Sequence, residues 1–86
     1  MAITVYTLPR CKPCAALKAW MHRQGLPFTE KSVKAERTHL REFKEYGARG
    51  FPLTIIGIEG QTLRYEGNTA RVKEAALTMK KGLSQK

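Results

Sequence analysis

The sequence has no apolar run long enough to cross a membrane, and its start shows no basic stretch followed by a hydrophobic segment. Its longest apolar stretch, Leu53 to Ile56, ends at Gly57, whereas a membrane-spanning helix needs about 20 residues. The pattern therefore gives no sign of a spanning helix or of a secretory leader. We expect a cytoplasmic protein.

Acidic residues are also scarce. The 86 residues include 7 Asp and Glu against 16 Lys and Arg, which gives a formal charge of +9. Such a charge favours association with anionic partners, whether nucleic acid, acidic peptides or small anions, but it also simply keeps a protein in solution. The basic residues are spread from Arg10 to Lys86, and only Lys80 and Lys81 are adjacent. This scatter disfavours nucleic-acid binding.

Cysteine occurs only twice, at Cys11 and Cys14 in the segment YTLPRCKPC. In a reducing cytoplasm a permanent structural disulfide is not expected, so a close pair suggests catalysis or metal binding. Three hypotheses follow for this pair. It could be a redox centre, half of a metal site, or two small apolar side chains of a core.

The chain predicts one domain over residues 1–82 and a short basic tail at 83–86. Periodicity and turn residues predict strands over 1–6, 28–33, 53–58 and 61–65, and helices from Cys11 to near Gly25, over 36–46, and from a Gly67-Asn68 cap to Gly82. Leu40 and Phe43, with Tyr46 as a further candidate, should form the apolar stripe of the second helix. The order βαβαββα predicts an α/β fold, a four-stranded mixed sheet flanked by three helices.

Cys11 is expected at the N-terminus of the first helix, where unpaired N–H groups and the helix dipole favour a thiolate. Lowering a thiol pKa from about 8.5 to about 7 takes roughly 2 kcal/mol, of which the dipole supplies only about 0.3–1 kcal/mol. Hydrogen bonds to the sulfur and the cations Arg10 and Lys12 should supply the rest. Cys11 is therefore the candidate nucleophile. Cys14, in the first turn after the tolerated Pro13, is the candidate resolving thiol.

The metal hypothesis needs two more ligands, and His22 and His39 are the obvious donors. They lie 17 positions apart on different predicted helices, whereas a zinc finger spaces its histidines by a few residues, so we expect both to be solvated. The core hypothesis suits Cys14, which falls on the apolar face of its helix, but not Cys11. A C-x-x-C pair that opens the first helix of a strand–helix–strand unit favours redox chemistry.

Two segments carry a resemblance to a known family. The start Ile3 to Thr7, followed by Pro9 and C-x-x-C, and the segment Gly47 to Pro52 before the third strand resemble glutaredoxin-type thiol–disulfide oxidoreductases of the thioredoxin fold, and among them most the NrdH-redoxins. The resemblance covers roughly residues 2–78. It implies a thioredoxin/glutaredoxin-like fold in which Pro52 follows a cis peptide bond and faces the cysteines. It also implies that Phe51 offers its backbone to an extended substrate chain.

Departures from the family pattern bear on the electron donor. Glutathione-using glutaredoxins usually carry Lys three residues before the first cysteine, a position that is Leu8 in this chain. They also carry a double glycine followed by acidic residues before the last helix, where this chain has Glu66 to Thr69. NrdH-redoxins carry Trp-Ser-Gly-Phe there, linked in that family to the reductase contact, and this chain keeps an aromatic and the glycine. The candidate substrate- and partner-binding residues are Phe51, Pro52, Arg10, Lys12, Tyr65 and Gly67.

By this resemblance we expect a monomeric dithiol reductase of protein disulfides that binds no cofactor or metal. Its substrate would be ribonucleotide reductase, and thioredoxin reductase would restore the pair with NADPH held on that partner. One alternative is a dithiol glutaredoxin recycled by glutathione. The alternative from another class is a basic binding module whose cysteine pair is structural or binds zinc.

Overall fold

The computed structural model of the chain describes residues 2–58 and 60–84. The elements are β1 (Ala2–Thr7), α1 (Lys12–Arg23), β2 (Thr29–Ser32), α2 (Arg37–Glu45), β3 (Leu53–Ile58), β4 (Gln61–Glu66) and α3 (Ala70–Ser84). The predicted order βαβαββα and the four-stranded mixed sheet with three helices are confirmed. None of the helices in the described ranges is long and apolar enough to cross a membrane.

The sheet has the strand order β2-β1-β3-β4, with β1 parallel to β2 and antiparallel to β3. The third and fourth strands form the predicted antiparallel hairpin. Because Tyr6 near the end of β1 lies opposite Leu53 at the start of β3, the segment after β1 and the segment before β3 meet at one edge of the sheet. The end of β2 reaches the same edge, since Thr7 lies opposite Ser32. This edge is where the cysteines lie.

Two apolar cores form from side chains that alternate along the strands. The first core joins the sheet to α1 and α3 and contains Leu17, Met21, Ile56, Val72 and Ala76, each no more than 2% exposed. The second joins the sheet to α2 and contains Tyr6, Val33, Phe43, Leu53 and Ile55. The strand β3 serves both cores, because its first four residues are all buried. The predicted doubly buried third strand is therefore confirmed.

The last helix differs from its prediction at both ends. It begins at Ala70, and the side-chain oxygen of Asn68 is buried without a hydrogen-bond partner, so Asn68 is not the cap. The helix continues through Gly82 to Ser84, and the predicted end at Gly82 is wrong. Glycine within a helix costs about 1 kcal/mol relative to alanine, which weakens a helix without ending it. Residues 85 and 86 of the predicted tail lie outside the described residues.

The apolar stripe predicted for α2 is right at Phe43 and at Tyr46, which packs partly buried against the second core, and wrong at Leu40. Phe43 is 6% exposed, whereas Leu40 is 37% exposed. The packed face runs through His39 and Phe43, which are four residues apart and therefore neighbours on a helix. His39 is not solvated as predicted, since its Nδ1 lies 2.8 Å from the carbonyl oxygen of Ser32 and its Nε2 lies 3.0 Å from a carboxylate oxygen of Glu36.

Candidate redox site

The two cysteines occupy the start of α1 in different environments. Cys11 is the N-cap residue and is partly exposed, while Cys14 in the first turn is 1% exposed. Their sulfurs form a disulfide, with the two Cα atoms 5.2 Å apart. An incoming sulfur can reach Cys11 much more easily than Cys14. The predicted positions of both residues on the helix are confirmed.

The start of the helix directs a donor at the exposed sulfur. The backbone N–H of Cys14 donates to Sγ of Cys11 over 3.2 Å, and no acidic side chain lies in the first turn of α1. Pro13 lies in that turn, where its missing N–H leaves no helical bond unmade. When the disulfide opens, the same N–H and the helix dipole can stabilise a thiolate on Cys11.

Arg10 and Lys12 flank Cys11 and are both exposed. Arg10 adopts a left-handed backbone conformation with φ of 61°, which costs a non-glycine residue about 1 kcal/mol or more. This turn reverses the chain between the end of β1 and the first residue of α1. Exposed cations act on a neighbouring thiolate only through a screened field.

A cavity of about 430 Å³ opens beside the disulfide, and Thr7, Lys18 and Glu30 belong to its wall together with both cysteines. One carboxylate oxygen of Glu30 accepts hydrogen bonds from Thr7 Oγ1 and from Lys18 Nζ, each over 2.8 Å. The hydrogen bond from Lys18 holds the pKa of Glu30 below its usual value, although partial burial opposes this shift. An ion pair therefore lies in the wall of the cysteine cavity.

The other part of the site is the segment before β3, called here the proline loop (residues 47–52). The Phe51–Pro52 peptide bond is cis, as the resemblance implies, and Pro52 is buried. The ring of Phe51 stacks on Phe43 of α2 with 4.2 Å between the centroids. The N–H of Gly67 donates to the carbonyl oxygen of Pro52 over 2.8 Å. This hydrogen bond ties Gly67 to the proline loop.

A further contact to the proline loop comes from Glu66, at the end of β4. Its Oε1 accepts hydrogen bonds from the backbone N–H groups of Arg49, over 3.1 Å, and Gly50, over 3.0 Å. The sequence offered no signal for this contact, because it joins residues 16 and 17 positions apart through the hairpin register that places Glu66 opposite Leu53.

The predicted binding residues do not all meet in one place. Arg10 and Lys12 line the cysteine cavity. Among the described residues, Phe51, Pro52, Tyr65 and Gly67 lie outside that lining. Tyr65 packs partly buried against the first core and borders a separate cavity of about 270 Å³. The roles of these residues in binding stay predictions.

The histidines do not join the cysteines. His22 is exposed and its ring lies 5.1 Å from that of Phe28, while His39 contacts Ser32 and Glu36. Within residues 2–58 and 60–84 there is no group of three or more His, Cys, Asp or Glu side chains that could hold a metal ion. The geometry gives no support to the zinc alternative.

Comparisons with known proteins agree with this geometry. The sequence model of the glutaredoxin family matches residues 3–60, which include both cysteines and the proline loop. The structure is similar to the glutaredoxin-like NrdH-redoxin of Escherichia coli, with a TM-score of 0.74 and 27% identity over 86% of this chain and 93% of that chain. It is also similar to a glutaredoxin of Brucella melitensis, with a TM-score of 0.65 and 28% identity over 92% of this chain and 86% of that chain.

Among curated proteins, the chain is similar to the global transcriptional regulator Spx 1 of Oceanobacillus iheyensis, with 40% identity over 43 residues. The Spx regulator of Staphylococcus aureus strain N315 is 33% identical over the same length of alignment. Each match covers 50% of this chain and 33% of the relative, so the chain spans about a third of the length of these curated relatives.

Proposed function

We propose that this chain, which belongs to the glutaredoxin family and holds a C-x-x-C disulfide at the start of its first helix, is a thiol–disulfide oxidoreductase that reduces protein disulfides as an electron donor to ribonucleotide reductase. The observation that carries this proposal is the asymmetry of the pair. Cys11 is partly exposed, and its sulfur accepts a hydrogen bond from a backbone N–H. Cys14 is buried, and its Cα atom lies 5.2 Å from that of Cys11.

The reaction begins from the reduced pair. The Cys11 thiolate attacks one sulfur of a substrate disulfide, so a new S–S bond forms to the substrate and the old one breaks. The leaving sulfur departs as a thiolate and takes a proton from solvent. Cys14 then loses its proton and attacks Sγ of Cys11, which releases the second substrate thiol. Two electrons pass to the substrate, and the Cys11–Cys14 disulfide remains.

We propose that the substrate and the partners are bound through two parts of the chain, the turn that carries Arg10 and Lys12 and the proline loop with the end of β4. Phe51 offers its backbone to an extended segment of the substrate beside Pro52, and the cations Arg10 and Lys12 meet acidic groups of the partner. The formal charge of +9 supports an acidic docking segment on the partners, because complementary charge accelerates association. We place Tyr65 and Gly67 on the reductase-facing side of the site.

We further propose that thioredoxin reductase recycles the pair with NADPH bound to that reductase, so that this monomeric, cytoplasmic chain needs no cofactor of its own. Two features support this donor. Leu8 stands where glutathione-using glutaredoxins carry Lys, and the similar NrdH-redoxin of Escherichia coli is described as having a thioredoxin-like activity profile. The similarity to a Brucella melitensis glutaredoxin favours glutathione as the second candidate donor.

A thiol-recovery assay separates the two donors. The oxidised protein is incubated either with NADPH and thioredoxin reductase or with reduced glutathione, and free thiols are counted after removal of the small molecules. We expect recovery with the reductase and little with glutathione, and then stimulation of ribonucleotide reductase turnover by the recycled protein. Recovery with glutathione alone would overturn the donor assignment and support the glutathione-dependent alternative.

The binding-module alternative is tested by Cys11→Ser. A thiol–disulfide oxidoreductase loses its disulfide-reducing activity in this variant, because the attacking sulfur is gone. Full activity in the variant, or a stoichiometric metal in the purified wild-type protein, would favour a structural or zinc-binding cysteine pair instead.

A further inference from the structure

The carboxylate of Glu66 is committed to the backbone of the proline loop. Oε1 accepts from two consecutive N–H groups, those of Arg49 and Gly50. The chain has 16 basic residues against 7 acidic ones, yet no ion pair of the described residues involves Glu66. This carboxylate of a strongly basic chain is thus used on neutral backbone donors, and hydrogen bonds to a charged acceptor are stronger than neutral ones.

These two bonds act at a specific place in the loop. Gly50 directly precedes Phe51, the residue whose backbone is proposed to meet the substrate. On the other side of that residue, the carbonyl of Pro52 accepts from Gly67, the neighbour of Glu66 in sequence. The last residue of β4 and the residue that follows it therefore hold the backbone immediately before and immediately after Phe51. The Phe51 ring is held separately by its stacking on Phe43.

From this geometry we propose that Glu66 is a positioning residue that presents the Phe51 backbone to extended polypeptide substrates, an inference that rests on the proposed disulfide-reducing function. Glu66 touches neither cysteine in the reaction. Its effect is confined to substrates that carry a peptide backbone next to their disulfide. A small disulfide without a peptide backbone gains nothing from an ordered loop, so its reduction depends on the cysteines and their immediate surroundings and not on Glu66.

The test uses single-turnover reduction, which requires no recycling partner. The pre-reduced protein is mixed by stopped flow with a disulfide-linked peptide or with 5,5′-dithiobis(2-nitrobenzoic acid), and second-order rate constants are compared. In Glu66→Ala we expect about a ten-fold slower reaction with the peptide, in line with the loss of hydrogen bonds to a charged acceptor. The rate with the small disulfide should stay unchanged. Glu66→Gln keeps an acceptor oxygen in place and should restore most of the peptide rate.

Glu74→Ala is the matched control, because Glu74 is an exposed carboxylate of α3 and its removal changes the net charge by the same amount. It should leave both rates as in the wild type. A second measurement reports on the loop itself: amide hydrogen exchange at Arg49 and Gly50 should accelerate in Glu66→Ala and remain slow in Glu66→Gln and Glu74→Ala.

Equal slowing of the two substrates by Glu66→Ala, or no slowing of either, would overturn the positioning role. The positioning role would also be overturned if the amides of Arg49 and Gly50 exchanged as fast in the wild type as in Glu66→Ala. If the wild-type protein reduces neither substrate, the proposed function fails instead, and the exchange rates still decide whether Glu66 holds the loop.

Discussion

The backbone N–H of Cys14 donates to the sulfur of Cys11 over 3.2 Å, so the buried cysteine forms part of the environment of the exposed one through its backbone. A backbone donor survives substitution of the side chain that carries it. The roles of the two thiols can therefore be separated by substitutions that leave the thiolate-stabilising bond intact.

Cys14→Ser should trap the mixed disulfide between Cys11 and a peptide substrate, because the attacking sulfur and its N–H donor remain while the resolving sulfur is gone. Cys11→Ser should trap none, since Cys14 is 1% exposed. Mass spectrometry of the unreduced reaction mixture detects the adduct directly. Adduct formation at equal rates by the two variants would contradict the assignment of nucleophile and resolving thiol.

Lys18 and Glu30 should have opposite effects on thiolate formation, because they carry opposite charges and their ion pair lies in the wall of the cysteine cavity. Lys18→Met leaves an unpaired carboxylate near the sulfurs and should disfavour thiolate formation. Glu30→Gln leaves an unpaired ammonium group and should favour it. At the separations that such a cavity allows, each change should move the midpoint of the thiolate titration by about half a pH unit.

Absorbance at 240 nm of the reduced protein gives this midpoint. The double variant Lys18→Met, Glu30→Gln is the control, because it removes both charges and should return the midpoint close to that of the wild type. Shifts of the same sign in the two single variants would show that the pair acts through the structure and not through its charges.

The cysteine site could be predicted from the sequence because its causes are local. The site consists of a helix start, a proline in the first turn and two thiols three positions apart, all within a few residues of sequence. The structure places them as expected. The carboxylate of Glu30 could not be foreseen in the same way. Its contact with Thr7 spans 23 positions and depends on the parallel register of β1 and β2, which no short pattern specifies.

The second helix shows the limit of periodicity for a short element. Leu40 and Phe43 are both apolar and both fit a helical stripe, but α2 has 9 residues, and its packed face passes through His39 and Phe43. With so few turns, one polar residue that finds partners can occupy the packed face in place of a leucine. The spacing of apolar residues alone does not predict the contacts of His39 with the carbonyl of Ser32 and the carboxylate of Glu36.

This difference predicts unequal costs for two truncations on α2. Phe43→Ala should lower the free energy of unfolding by about 3–5 kcal/mol, because a buried aromatic ring leaves a cavity. Leu40→Ala should change the free energy of unfolding by no more than about 0.5 kcal/mol, as is usual for surface substitutions. Urea denaturation followed by circular dichroism measures both. A similar loss of unfolding free energy in the two variants would show that Leu40 and Phe43 are packed alike, as the sequence predicts.

Acid should destabilise the protein through Glu30 and Glu42. The pKa of Glu30 is lowered mainly by the hydrogen bond from Lys18, and that of Glu42 mainly by the hydrogen bond from Lys31 and then by that from Tyr6. A lowered folded-state pKa means that the stabilisation is fully present above the ordinary carboxyl pKa and is lost as the pH falls through the folded-state value. Melting temperatures measured between pH 6 and pH 2 should therefore fall less steeply in Glu30→Gln and Glu42→Gln than in the wild type.

Alkali should act through Tyr6. Burial and the hydrogen bond that its hydroxyl donates to Glu42, over 2.8 Å, raise the pKa of Tyr6 far above its ordinary value. A raised folded-state pKa means that the stabilisation is present below about pH 10, where the unfolded chain keeps the phenol proton, and is lost at higher pH as the unfolded chain releases it. Tyr6→Phe removes the hydrogen bond and should cost about 1 kcal/mol at pH 7.

The difference in unfolding free energy between the wild type and Tyr6→Phe should therefore shrink as the pH rises from 9 to 11. Urea denaturation at several pH values measures it, and the difference between two variants cancels the titration of the many lysines that both share. Tyr65→Phe is the control, because Tyr65 lies against the other core. A wild-type advantage over Tyr6→Phe that stays constant to pH 11 would show that the phenol proton is not coupled to folding.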